Sequence, residues 1–348
     1  MLSVVDYGIL ASLFAIIYIL GIFSESIQLV LAKYTSNVKD KGKVKNILNK
    51  SLKKTSVVSV VVLAIYLILA APLSIFLKIE YPLMALNGLI IFSVFLNPVT
   101  RGILQGTKKF KALGGNMIIE SVVKLGLAVL FVFIGWKVYG AITGALIGTF
   151  LALFVSFSSL RDIMKSKESS ADTKGIYGYT KPALLTMFVI IAFYSIDVIF
   201  AKILFDEVLA GSYAIASTLA KTLFFGTQPI GRAMFPLSAE SKSNKSKSDN
   251  VFLNAFGIVL LISLVGLGLF YFFPTLIIKI FSGEAIAGAI SVLFLVGLAV
   301  TLVSFANLVL LYKLSVGKIK GYKNLVIFLI VECLLFWKFS GNLIQFSL

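Results

Sequence analysis

Charged side chains inside long apolar segments are the residues of this sequence best placed to do chemistry. On insertion scales, a charge at the centre of a bilayer costs about 2.5 to 3.5 kcal/mol, so such residues face a polar cavity or one another. They are therefore candidates for binding an ionic ligand. Eight such charges occur: Glu25, Glu120, Lys124, Asp197, Lys202, Lys221, Arg232 and Glu332.

Glu120 and Lys124 are four residues apart, which places them on one face of a helix with the acid before the base. Asn116 lies one turn earlier on the same face and extends it into a polar stripe. Two interpretations stay open at this point. The three residues bind a substrate, or the two charges neutralise each other and only lower the free energy of burial.

Lys221 lies near the middle of its apolar segment, with Gln228 two turns later on the same side. A lysine ammonium is a compact charge suited to phosphate oxygens, so both residues are substrate-binding candidates. The alternative is an ion pair between Lys221 and Asp197 on the preceding segment. Asp197 is also an ion-coupling candidate, because a carboxylate in a drying environment can take up a proton.

The composition excludes most enzymatic chemistry. The chain has no histidine and a single cysteine, Cys333, and it contains no GxxxxGK phosphate-binding loop. Histidine-based acid/base catalysis, catalytic triads and common zinc sites are therefore excluded. We expect a protein that is not an enzyme and that uses no cofactor and no metal.

Hydrophobic residues make up 59% of the 348 residues, more than the core of a soluble chain can bury. The sequence predicts an all-α polytopic membrane protein with about ten transmembrane helices, most of them near the twenty residues that a span requires. The predicted segments are 8–32, 56–77, 83–103, 114–135, 137–160, 182–205, 209–235, 252–273, 285–312 and 323–337.

Basic residues are concentrated in every second loop. Five such loops hold 24 of the 32 lysines and arginines but only 6 of the 15 acidic residues: 33–54, 101–113, 161–181, 236–251 and 313–323. Basic loops stay in the cytoplasm, so a multi-pass protein of the cell membrane with both termini of this chain extracytoplasmic is predicted. The net charge of +17 therefore reflects topology and indicates contact with membrane lipids, not with nucleic acid.

The two halves of the sequence resemble parallel repeats. Residues 7–13 (YGILASL) are similar to residues 213–219 (YAIASTL), and the same order of loops and helices follows each. We predict a bundle of five transmembrane helices over 1–160, a cytoplasmic linker over 161–181 and a second bundle of five over 182–348. In this register each half shows five of six helices, so the first and last helices of a twelve-helix ancestor are expected to be missing.

The repeat also pairs residues near the cytoplasmic ends of the helices. Glu25 corresponds to Gly231, which is adjacent to Arg232. A gate between the halves is one hypothesis for Glu25 and Arg232. Lys202, Arg232 and Glu332 lie nearer helix ends, where an interfacial role is the alternative.

Several stretches resemble polysaccharide flippases, the Wzx-like family of the multidrug/oligosaccharidyl-lipid/polysaccharide exporter superfamily. Besides Asn116 and Glu120, these stretches are 101–110 (RGILQGTKKF), 140–145 (GAITGA), 195–197 (SID), 210–217 (AGSYAIAS) and 235–238 (FPLS). The resemblance implies two six-helix bundles around a cavity. It also implies outward movement of a polyprenyl-diphosphate-linked saccharide, with glycosyltransferases of the same pathway as partners.

The expected function is therefore a flippase that moves a lipid-linked oligosaccharide or polysaccharide precursor to the outer leaflet by alternating access. A multidrug/cation antiporter of the same superfamily, using Asp197 or Glu120, is one alternative. A truncated, non-transporting membrane protein is another. A membrane glycosyltransferase is disfavoured, because the outer loops are too short to carry acidic catalytic groups.

Overall fold

The structure is a computed structural model that describes residues 4–77, 79–171, 174–241, 245–317 and 324–347. Within these ranges the chain is helical and contains no strand, so the predicted fold class is confirmed. Contacts divide the chain into two compact units, Met1–Leu184 and Leu185–Leu348. The division falls inside a helix, after Leu184, whereas the sequence predicts a boundary in the loop 161–181.

Unit 1 contains the first seven helices and most of the eighth. Its helices are α1 (Val4–Ser36), α2 (Lys41–Leu77), α3 (Tyr81–Gly88), α4 (Ile90–Gly106), α5 (Phe110–Phe131), α6 (Lys137–Ser159), α7 (Arg161–Met164) and α8 (Lys174–Phe193), which continues into unit 2. A single π-helical turn, Val132–Trp136, joins α5 to α6. Apolar side chains of α1, α2, α3, α4 and α6 form a common core.

Unit 2 contains the remaining helices. They are α9 (Ile196–Leu204), α10 (Glu207–Glu240), α11 (Lys245–Phe272), α12 (Pro274–Ser282), α13 (Ala287–Ser315), α14 (Leu325–Lys338) and α15 (Leu343–Ser347). In this unit α10 packs along α13, as α1 packs along α4 in unit 1. The helix that follows also contacts the second member of each pair: α2 contacts α4 in unit 1, and α11 contacts α13 in unit 2. The packing order therefore matches the predicted sequence repeat.

Six stretches of the described residues are long and apolar enough to cross a membrane: Lys41–Ile75, Tyr81–Gly106, Phe110–Ser159, Val208–Glu240, Ser246–Phe272 and Ala287–Ser315. The third is 50 residues long and folds back on itself, so it provides two spans. The reversal occurs at Gly135, whose φ of 97° suits glycine because it has no Cβ. The protein is a multi-pass membrane protein.

The predicted segments match the helices better than the predicted loops match the connections. The segment predicted at 182–205 is divided between α8 and α9 by a break at Tyr194 and Ser195. The loops predicted at 33–54 and 236–251 are mostly helical, because α2 starts at Lys41, α10 continues to Glu240 and α11 starts at Lys245. Lysine-rich sequence outside the apolar region therefore extends these helices beyond their apolar spans.

Helices α5 and α6 pack closely because glycines face the contact. A Cβ placed on Gly144 or Gly148 would lie within 2.8 Å of the backbone of Ala128 or Lys124, respectively. A third glycine, Gly140, meets Phe131 in the same way. These glycines, at four-residue spacing, form a small-residue ladder that serves as a helix-packing surface. It fixes the backbone of Lys124 directly against α6.

Basic loops of unit 1 meet at one end of the bundle. The segment 160–171, which we call the strap, follows α6 and lies against the beginning of α2. Its Asp162 binds Lys109 at 2.5 Å and Lys41 at 3.3 Å, and its Glu168 accepts hydrogen bonds from Asn46 and Asn49. Within unit 1, three of the predicted cytoplasmic loops therefore lie on the same side.

Candidate functional site

The first cluster of charges lies between α4, α5 and α6 in unit 1. Glu120 pairs with the Arg101 guanidinium and, at 3.0 Å, with the Lys124 ammonium. Asn116 accepts a hydrogen bond from Arg101 Nε at 2.8 Å and donates one to the Ala152 carbonyl of α6. The Asn116–Glu120–Lys124 stripe thus forms as the helical spacing predicts, and Arg101 joins it from α4.

Arg101 is a site residue that the sequence analysis does not predict. The predicted span 83–103 and the predicted basic loop 101–113 overlap at Arg101, and in the structure it lies within α4, which continues to Gly106. Its side chain is only 13% exposed because it reaches back to Glu120. Basic residues are typical of loops, and no local signal in the sequence identifies the partner of Arg101 on another helix.

Among the described side chains, the unit 1 cluster holds two cations and one carboxylate. The Glu120 side chain is 14% exposed, whereas the Lys124 side chain is 40% exposed. Because one carboxylate is shared between two bases, the cluster has one more base than acid. The ammonium of Lys124 is the more exposed of the two bases and is the group that a ligand can reach. Such an arrangement favours an anionic ligand. The self-compensating pair predicted as an alternative is present, but it accounts for only half of the cations.

The second cluster surrounds Asp197 on α9. Lys221 donates to Asp197 Oδ1 at 3.1 Å, and Ser217 and Tyr213 donate to Asp197 Oδ2 at 2.6 and 3.3 Å. The three donors are at successive four-residue intervals on α10, so they share one face. The ion pair between Lys221 and Asp197, predicted as the alternative to a substrate role, is therefore formed in this structure.

Tyr213 and Ser217 were not among the predicted site residues. Both residues lie in the family-like stretch 210–217, and Tyr213 also starts the sequence repeat, but neither observation indicates a site role. The signal that could have identified both is the polar spacing Tyr213, Ser217, Lys221 within an otherwise apolar helix. The acceptor of all three side chains, Asp197, lies on a different helix, so the role of the stripe is visible only in the structure.

Glu332 also differs from its predicted place. It was expected near a helix end with an interfacial role, but it lies in the middle of α14, within electrostatic range of Asp197 and Tyr213. Its Oε2 atom is buried and makes no hydrogen bond within the described ranges. Among the described side chains, the unit 2 cluster therefore holds two carboxylates and one ammonium.

Three further predicted site residues, Gln228, Arg232 and Glu25, lie on α10 and α1. Gln228 is half-buried on α10, about two turns beyond Lys221. Glu25 on α1 and Arg232 on α10 are half-buried, each within its own unit, and their gating role stays a prediction. The backbone of Lys202 belongs to α9, but its side chain lies outside the described residues.

The described residues contain no group of three or more acidic, histidine or cysteine side chains that could hold a metal ion. What the site offers is electrostatic. Unit 1 presents a cationic cluster and unit 2 an acidic one, each within the helices of an apolar bundle. Charged clusters of this kind are suited to reversible binding of ions.

Comparison with solved structures defines the class of the fold. A MATE in the bent conformation superimposes with a TM-score of 0.84 at 15% identity, covering 99% of this chain and 83% of that one. A MATE in the straight conformation gives 0.79 at 16% identity, covering 97% and 83%. An outward-facing multidrug resistance MATE family transporter of the MOP superfamily gives 0.79 at 17% identity, covering 97% and 82%. The chain has the MATE fold, as expected from the resemblance.

The family follows from the sequence itself. A family model described as polysaccharide biosynthesis protein matches residues 1–291, and the chain belongs to that family. No curated protein matches the chain. The polysaccharide biosynthesis family and the MATE fold are both consistent with the resemblance to polysaccharide flippases.

Proposed function

We propose that this protein is a flippase that moves a lipid-linked saccharide precursor to the outer leaflet by alternating access of its two units. The unit 1 cluster carries the proposal, because Arg101 and the accessible Lys124 share the single carboxylate of Glu120. A diphosphate is the anionic group expected between a polyprenyl carrier and a saccharide. Family membership supports a substrate from polysaccharide biosynthesis.

In this mechanism Lys124 and Arg101 bind phosphate oxygens, while Asn116 and Glu120 hold the Arg101 side chain in place. The lipid tail stays in the bilayer and the polar head crosses, so no bond is made or broken. Two negative charges on the head would gain about 2.3 kcal/mol each per 100 mV of inside-negative potential. The membrane potential therefore favours outward movement.

The experiment is a flipping assay in proteoliposomes with a fluorescent short-chain polyprenyl diphosphate as probe. K124M should lower the initial rate by roughly tenfold or more, since a hydrogen bond to a charged group contributes about 1.5 to 3 kcal/mol. Lys111, exposed on the same helix, provides the matched control K111M, which should keep the parent rate. Equal rates for K124M, K111M and the parent protein would contradict the proposal.

We further infer that Asp197 is the ion-coupling group and that Glu332 shares this role. Two neighbouring carboxylates with one ammonium favour uptake of a proton or a cation. Exchange of Lys221 between Asp197 and an anionic substrate would link ion binding to transport. D197N should abolish stimulation of flipping by a proton or sodium gradient while leaving probe binding in place.

A multidrug/cation antiporter is the second candidate. It is supported by the acidic unit 2 cluster and by the fold shared with a multidrug resistance MATE family transporter. An antiporter would lose efflux of a cationic dye in D197N or E120Q and keep it in K124M. A flippase gives the reverse dependence for the diphosphate probe, so the two assays on the same variants distinguish the candidates. Failure of both transport assays would instead support a non-transporting membrane protein.

A further inference from the structure

The short C-terminal helix α15 covers one end of the unit 2 cluster. Its Phe346 is only 3% exposed and stacks on Phe336 of α14, with ring centroids 4.7 Å apart. The same ring meets Phe205 edge-on at 5.3 Å. We call Phe205, Phe336 and Phe346 the aromatic cap. Its three rings come from three separate elements and meet at Phe346.

The aromatic cap is linked to Asp197 through Tyr213. The Tyr213 ring meets Phe346 edge-on at 5.0 Å, while its hydroxyl donates to Asp197 Oδ2 at 3.3 Å. Tyr213 is itself 3% exposed. A single buried side chain therefore separates the ring of Phe346 from the carboxylate that the ammonium of Lys221 contacts.

The cap lies on the side of Tyr213 away from Lys221. Tyr213 comes six residues after the first residue of α10, which is a rise of about 9 Å, and Ser217 and Lys221 follow at one-turn intervals beyond it. Asp206, which caps the beginning of α10 by accepting from two backbone amides, is exposed. The beginning of α10 is therefore exposed, whereas the Asp197 carboxylate beyond Tyr213 is buried.

Helix α15 is held against unit 2 by buried side chains. Three of its five described residues, Leu343, Phe346 and Ser347, are buried. Leu343 lies near Gly288 of α13, where a Cβ on the glycine would be 3.7 Å from Leu343 Cδ1. The position of α15 therefore depends on the burial of these side chains, and Phe346 is the largest of them.

We propose that α15 is a lid that closes access of water and ions to Asp197 from the end at which α10 begins. Phe346 is its closing side chain. With α15 packed, the aromatic cap and Tyr213 fill the space above the carboxylate. With α15 displaced, the Tyr213 ring loses its cover and the cluster opens on that side. The functional meaning of the lid rests on the proposed ion-coupling role of Asp197, whereas its existence does not.

Thiol accessibility tests the lid without measuring transport. Cys333 is the only cysteine, so C333S provides a background in which S217C reports on the cluster. A membrane-impermeant cationic methanethiosulfonate is added to either side of proteoliposomes. F346A should raise the labelling rate of S217C roughly tenfold from the side where α10 begins. This factor corresponds to about 1.4 kcal/mol in favour of the open state.

Two matched variants control for the chemical change and for folding. F339A removes a ring that is 45% exposed between α14 and α15, and it should leave labelling unchanged. F346L keeps most of the apolar volume without a ring edge, so it tests the lid even if F346A fails to fold. Its labelling should be faster than that of F339A and slower than that of F346A.

A second reporter detects general loosening of the unit. Ser263 is 2% exposed on α11, so S263C should stay protected when Phe346 is replaced. Unchanged S217C labelling in both Phe346 variants, or an equal rise for S263C, would overturn the lid. If labelling rises as expected but D197N still responds to ion gradients, the lid stands and the proposed coupling role of Asp197 fails.

Discussion

The two charge clusters use similar residues with opposite balance. In unit 1, one carboxylate, Glu120, is shared by two cations, and the Lys124 side chain is 40% exposed. In unit 2, Lys221 is 14% exposed and pairs with Asp197, while Glu332 contributes a second carboxylate nearby. Among the described side chains, bases outnumber acids in the first cluster, and carboxyl groups outnumber bases in the second.

This difference suggests a division of labour between two units that share a packing order. Bases that exceed acids favour an anionic headgroup, and acids that exceed bases favour a proton or a cation. A repeat in which both halves kept the same balance would bind only one kind of ion. Under the proposed function, the opposite balances would let one protein bind a substrate in one cluster and a coupling ion in the other.

The largest expected effect comes from removing the shared acid of unit 1. E120Q leaves Arg101 and Lys124 without a counter-charge, and breaking a buried ion pair in this way costs about 3 to 5 kcal/mol. The free energy of unfolding, measured by SDS titration in mixed micelles, should fall by this amount. The double variant R101Q/E120Q should recover at least half of the loss. A fully stable E120Q protein would show that the cluster is not held by charge.

The two lysines should differ in stability although both contact a carboxylate. K221M removes a buried charged donor from Asp197, and we expect a loss of about 1.5 to 3 kcal/mol. K124M removes a partly exposed ammonium from Glu120, which keeps Arg101, so a loss of about 0 to 1 kcal/mol is expected. The same micelle titration measures both variants. Equal losses would remove the contrast in burial on which the comparison rests.

Packing of α5 on α6 should control the unit 1 cluster specifically. G148A places a methyl group 2.8 Å from the backbone of Lys124, and such overpacking costs about 1 to 3 kcal/mol. Gly126, on the facing helix α5, has open space around its Cβ position and provides the control G126A. G148A should lower both the free energy of unfolding and the rate of diphosphate flipping, whereas G126A should lower neither. An effect of similar size in both variants would argue against close α5–α6 contact.

The smallest expected effect concerns the strap of unit 1. Hydrogen bonds from Lys109 and, to a smaller extent, from Lys41 lower the pKa of Asp162. The ionised Asp162 therefore stabilises the folded protein at pH values above the ordinary pKa of 3.8, and this stabilisation is lost as the pH falls through the lowered pKa. Because the pair is partly exposed, D162N should cost only about 0.2 to 1 kcal/mol at neutral pH. Limited proteolysis of residues 160–171 should accelerate in D162N. Parent and variant should become equal in acid.

Features set by neighbours in the sequence were predictable. The Glu120–Lys124 spacing, the glycine ladder of α6 and most apolar spans depend on helical periodicity and composition, and the structure contains all three. The pairing of Lys221 with Asp197 was expected only as an alternative. Buried charges find partners, but the sequence does not specify which partner is within reach.

Features set by contacts between distant helices were not predictable. Arg101 lies where the predicted span 83–103 overlaps the predicted loop 101–113, but in the structure α4 continues past it and Glu120 of α5 holds its side chain. Glu332 was predicted nearer a helix end. Its position in the middle of α14, close to Asp197, depends on how α14 packs against α9, which the sequence does not specify. The extensions of α2, α10 and α11 into basic sequence likewise require contacts that composition does not reveal.

The most direct test of the account measures ligand binding and ion dependence in the same two variants. Binding of the fluorescent polyprenyl diphosphate and stimulation of its flipping by an ion gradient are compared in K124M and D197N. The account predicts that K124M weakens probe binding but keeps stimulation of its residual flipping, and that D197N binds the probe but loses stimulation. Loss of both properties in each variant, or of neither, would contradict the division of labour between the two clusters.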